Sequence, residues 1–158
     1  DGSDVGWACL VLGKLRFKDA RKGDWAVKIR RSLEKRMKAI ETSGRGRFHE
    51  GAEEGEVLLS TNLEDGRLDV YVDGFSFGKN EIVDKILFAD ISSINSHLKV
   101  ELFLNAGRSG DLDFYVPLDI EYGSSHLSLS LPFLTYSNVM NILVGLREDW
   151  MKQSSSNG

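Results

Sequence analysis

Cysteine is almost missing from this chain: Cys9 stands alone, so no internal disulfide can form and no cysteine-rich metal site can be built. Proline is nearly as scarce. Pro117 and Pro132 are the only two, which argues against long disordered linkers. No apolar run approaches the roughly 18–20 residues of a membrane-spanning helix. The longest near the start, Trp7 to Leu12, is short and has no basic flank before it, so no signal peptide is expected. Chemical motifs are also absent. There is no phosphate loop, Cys-x-x-Cys or His-Glu-x-x-His, and His49, His97 and His126 stand apart. Neither an enzyme nor a cofactor is expected. Composition does permit a core, since 41% of the 158 residues are apolar and a chain of this length buries about 68–70% of its unfolded surface.

The charges are unevenly placed. Thirteen of the twenty Lys and Arg residues lie between Lys14 and Arg47, opposed there only by Asp19, Asp24, Glu34 and Glu41. That stretch carries +9, residues 48–158 carry −11, and the whole chain −4. A basic arm joined to an acidic body bears on partners more than on fold, because clustered charge of one sign selects what approaches.

Within the basic arm, Trp25, Ile29, Leu33, Met37 and Ile40 recur at spacings of four, four, four and three, which predicts one apolar helix face. Lys28, Arg30, Arg31, Lys35, Arg36 and Lys38 occupy the other faces. Asp24 is the expected N-cap, and Gly44 the expected stop in a left-handed conformation. Residues 6–17 read as a strand or hairpin, and the glycine-rich residues 44–56 as a linker.

After residue 56 the period becomes two. Val57 and Leu59, then Leu68, Val70 and Val72, then Phe75 and Phe77 predict short strands, followed by Ile86–Ile94 and by Val100, Leu102 and Leu104. Leu112, Phe114, Val116, Leu118 and Ile120 point one way; Asp111, Asp113, Tyr115, Asp119 and Glu121 point the other. Pro117 on the wet side predicts an edge or distorted position. Leu127, Leu129 and Leu131 form the last strand. A helix capped by Thr135 or Ser137 then aligns Tyr136, Val139, Met140, Leu143, Leu146 and Trp150. The expected class is α+β: a bent antiparallel sheet or partly open barrel of six to seven strands, a C-terminal capping helix, and a basic amphipathic helix ahead of them. The expected divisions are residues 1–54, residues 55–152 and a disordered polar tail at 153–158.

The segments Leu68 to Phe77 and Ile86-Leu-Phe-Ala-Asp-Ile-Ser-Ser-Ile94, with the helix from Tyr136 to Met151, resemble the pleckstrin-homology-like superfold, in particular its small bacterial domains. The resemblance spans roughly residues 55–151 and leaves the basic helix outside it. It raises phosphoinositide binding, which such domains perform with bases in the first strand-to-strand loop. Here that loop, Thr61 to Arg67, holds two acids and one base, so the function is not carried over. Asp90 and Ser92 also resemble part of the PilZ signature for cyclic-di-GMP, but no Arg-x-x-x-Arg exists to clamp phosphate.

The functional expectation is a non-catalytic binding or scaffold module that contacts protein. Two surfaces are candidates: Lys28, Arg31, Lys35 and Lys38 on the helix, and an exposed strand edge bearing Asp111, Asp113, Asp119 and Glu121. One alternative is peripheral binding to an anionic membrane or ligand through the same helix. Another is an immunity-type inhibitor that covers a basic toxin with the acidic surface. Nucleic acid is not an expected partner, a cytoplasmic location is expected, and no metal site is: His49 with Glu50, Glu53, Glu54 and Glu56 reads as a solvated charge run.

Overall fold

In a computed structural model, residues 4–7, 10, 12–19, 21, 23–42, 44, 46–51, 57–60, 66–79, 84–96 and 115–157 are described. The order of elements is β1 (Asp4–Trp7), β2 (Leu12–Phe17), α1 (Asp24–Thr42), β3 (Arg47–Glu50), β4 (Val57–Ser60), β5 (Gly66–Tyr71) and β6 (Gly74–Gly78). Then come β7 (Ile86–Leu87), a 3-10 turn (Phe88–Asp90), β8 (Ile91–Ser96), β9 (Tyr115–Tyr122), β10 (Ser125–Pro132) and α2 (Phe133–Asn157). The fold is α+β. A bent six-stranded sheet runs in the order β3-β4-β2-β5-β6-β7, a second sheet runs β1-β10-β9-β8, and no closed barrel forms among the described residues.

Alternation places the core. Leu15, Phe17, Val57, Leu59, Leu68, Val70, Phe75 and Phe77 all turn to one face of the larger sheet and are buried. Val116, Leu118 and Ile120 of β9 face inward with Leu127, Leu129 and Leu131 of β10, as their period of two predicts. Both sheets and both helices contribute to one hydrophobic cluster. An aromatic series crosses it: Phe75 packs on Phe77 and Phe88, and Phe88 reaches Trp150 of α2 with ring centroids 6.4 Å apart.

Several expectations need correction. The sheets are mixed, because β2 runs parallel to β5 and β1 parallel to β10. Residues 18–65 intervene between β2 and β5, ample for the crossover that parallel pairing demands. The glycine-rich stretch contains strand β3, which pairs with β4; its lone apolar residue, Phe48, left no period to read. Pro117 lies in an interior strand, and the described pairing of β9 with β8 stops at Leu118, the residue after the proline, so no described β8 residue faces it. α2 begins at Phe133, so Thr135 and Ser137 are inside it and not at its cap. Pro132 holds a φ already suited to entering a helix, which lets the turn follow it directly. The helix also continues to Asn157, where a polar tail was expected, since each residue added to a packed helix gains a backbone hydrogen bond. The strand expected at residues 100–104, and Asp111 and Asp113, lie outside the described residues.

Candidate functional site

α1 is set against the rest of the fold by its apolar stripe. Ala26, Ile29, Leu33, Met37 and Ile40 are buried and Trp25 is partly so. The helix ends as expected: Gly44 has φ +82°, where a side chain would be strained, and its N–H returns to the Glu41 carbonyl at 2.9 Å. Glu41 also accepts the Phe48 N–H (2.8 Å). β3 is an edge strand, so this carboxylate occupies a backbone donor that would otherwise face outward.

Opposite the buried stripe, Lys28, Arg31, Lys35 and Lys38 recur at spacings of three, four and three and are all exposed. Among the described residues no ion pair engages Lys28, Arg31 or Lys35; Lys38 Nζ lies 5.2 Å from the Phe48 ring centroid. Arg30, on the flank, meets Glu34 at 3.3 Å. The four expected helix residues thus form one cationic stripe.

Beside that stripe, α1 and α2 leave a groove of about 710 Å³. Ser32, Lys35 and Arg36 line it from α1, and Ser137, Asn138 and Asn141 from α2, with Ala39, Ile40 and Ile142 as an apolar wall. Arg36 is held in a fixed pose. Its Nε donates to Asn141 Oδ1 (3.2 Å), and its Nη1 donates to the Ser32 carbonyl (3.2 Å) and to Ser32 Oγ. Ser32 Oγ in turn donates to Asp149 Oδ2 at 2.8 Å. The guanidinium lies against Gly145 so closely that a Cβ there would collide with Nη2. Nη2 itself has no hydrogen-bond partner among the described residues. Sequence reasoning missed Arg36, Asn141 and Gly145 as a unit, because they meet only when two helices about a hundred residues apart pack; Gly145 inside a helical stripe was the one visible signal.

Three other bases of the arm, Lys14, Arg16 and Arg47, lie on strands of the larger sheet. Arg47, Lys14 and Arg67 share one cross-strand row through Ser60 on its outer face. In the next row Arg16 Nε meets the buried Asp69 at 2.8 Å, and Arg67 approaches the same carboxylate at 3.9 Å. A second cluster joins the segment that leads into α1 to the β5–β6 turn: Arg21 spans Asp19 (2.6 Å) and Asp73 (2.9 Å), and Lys85 meets Asp73 at 3.0 Å. Burial would raise both carboxyls, but their hydrogen bonds, chiefly from Arg21, outweigh it and hold each below the usual carboxylate range.

The acidic candidates are less concentrated. Asp119 and Glu121 project from the outer face of an interior strand, so they lie on a sheet face and not at an exposed edge. Asp119 is 3.3 Å from His126 Nε2, and Glu121 accepts the Ser93 hydroxyl at 3.0 Å. Of the chelating run, His49 is on β3, and Glu53, Glu54 and Glu56 lie outside the described residues; no group able to hold a metal occurs among those that are described.

Comparison with protein-family models, with curated proteins and with solved structures finds no match to this chain.

Proposed function

We propose that this chain is a non-catalytic binding module that receives an acidic protein segment along the exposed side of α1. The observation that carries this reading is the division of labour on the helix: its apolar stripe is buried in the core, while Lys28, Arg31, Lys35 and Lys38 face outward together. Such a stripe attracts a run of carboxylates and speeds encounter, with an effect that fades as salt rises. It supports protein over bilayer because the helix has no apolar face left to insert, and charge without a hydrophobic anchor holds a membrane weakly. No helix among the described residues is long and apolar enough to cross a membrane.

The experiment is a fluorescence titration with a labelled glutamate-rich peptide of about a dozen residues, at low and physiological salt. Binding should weaken with salt and fall by roughly tenfold or more in Lys28→Glu/Arg31→Glu/Lys38→Glu, as three reversed surface charges predict. Flotation with anionic vesicles is the counter-test. Vesicle binding without peptide binding would replace this reading with the membrane one.

A further inference from the structure

The groove between α1 and α2 offers more than general positive charge. We infer that it is a subsite for a phosphoryl group carried by the docked segment, with Arg36 as its anchor; the inference rests on α1 being the docking face. Three features converge. The guanidinium is already immobilised by Asn141, the Ser32 carbonyl and Ser32 Oγ, so little side-chain freedom remains to be lost on binding. Its Nη2 hydrogens are left as uncommitted donors. Asn141 spends its carbonyl on Arg36, which leaves its amide N–H groups as donors too.

Around that anchor the lining is donor-rich: Lys35 adds a second cation, and Ser137 and Asn138 add a hydroxyl and an amide. No carboxylate lines the groove; Asp149, the nearest acid in the network, is engaged by Ser32. A phosphoryl group carries about −1.5 to −2 at neutral pH and three acceptor oxygens, which matches two cations flanked by neutral donors better than a single carboxylate does. A volume of about 710 Å³ leaves room for the residue that bears it.

Gly145 supplies the decisive test. Replacing it with alanine places a methyl where Nη2 now lies, which displaces the guanidinium without changing charge. Alanine is also the better helix former, so the variant should stay folded. Inorganic phosphate, titrated against chloride at matched ionic strength, should give saturable amide NMR shifts at Ser137, Asn138, Asn141 and Gly145. Both Arg36→Gln and Gly145→Ala should weaken that binding by about tenfold or more, the loss expected for a charge-assisted hydrogen-bond pair.

A second arm compares the acidic peptide with and without one phosphoserine. The phosphorylated form should bind at least about tenfold tighter, and Gly145→Ala should erase that preference while Lys28→Glu/Arg31→Glu/Lys38→Glu weakens both peptides alike. Shifts that do not saturate, or a phosphate preference that survives Gly145→Ala, would overturn the groove assignment. If phosphate binds in the groove and neither peptide binds, the docking reading falls and the anion site stands.

Discussion

At Asp19 one carboxylate accepts from a guanidinium and from two backbone N–H groups. It accepts the Arg21 guanidinium at 2.6 Å, the Arg21 backbone N–H at 2.9 Å and the Val72 N–H at 3.0 Å. Arg21 carries the connection on to Asp73 and stands 5.9 Å from the Trp25 ring centroid, while Lys85 lies 4.7 Å from that of Tyr71. The result is a clasp between the segment that leads into α1 and the turn after β5. Its pH dependence has a definite sign. The folded-state affinity of Asp19 and Asp73 for protons is depressed, so their stabilisation is present above the ordinary carboxylate range and is lost as pH falls through and below it. Asp19→Ala should therefore cost about 2 kcal/mol at neutral pH, where it leaves the Val72 N–H without its acceptor and Arg21 with Asp73 alone, and clearly less near about pH 3. Urea unfolding of both proteins at the two pH values measures this. An equal loss at both would mean that the clasp owes nothing to ionisation.

α1 is stable as an element because of what it is packed on. Six bases and three acids on one helix give few local pairs, and Arg30–Glu34 contributes only about 0.3–0.5 kcal/mol. The buried stripe contributes far more. Leu33 is fully buried, so Leu33→Ala should cost about 3 kcal/mol, whereas Lys28→Ala on the exposed side should stay within about 0.5 kcal/mol. Denaturant midpoints at constant slope are the measurement; comparable losses at the two positions would contradict a helix docked by one face. The stripe was legible in the spacing of Ile29, Leu33, Met37 and Ile40, and the inward faces of β9 and β10 were legible in their alternation. Periodicity tells which face is buried but not what buries it. Hence β3, with one apolar residue, and the Arg36–Asn141 pairing, 105 residues apart, had no local signature. The four cations of the helix could be named in advance, and the groove beside them could not.

For the whole molecule the decisive fact is where the amino-terminal third goes. β2 sits inside the larger sheet, antiparallel to β4 on one side and parallel to β5 on the other, and β1 forms the margin of the second sheet beside β10. The arm's positive charge follows this routing: some of it lies on α1, and Lys14, Arg16 and Arg47 lie on β2 and β3 of the larger sheet. The charge asymmetry of the sequence therefore marks two separate surfaces and no detachable basic tail. A fragment of residues 55–158 would strip β5 of its β2 partner and remove Leu10, Leu15, Phe17, Ile29, Leu33, Met37 and Ile40 from the shared cluster. Fully burying each such side chain is worth about 1.5–3 kcal/mol, so the loss of seven, about 10–20 kcal/mol, is as large as the about 5–15 kcal/mol by which a whole domain is stable. The exposed edge of β5 would also invite pairing between chains. The fragment should consequently show no cooperative thermal transition by circular dichroism and should aggregate, while residues 1–158 unfold in one step. A sharp, reversible transition in the fragment would mean that the sheet closes without β2, and that the arm is an addition to the core and not part of it.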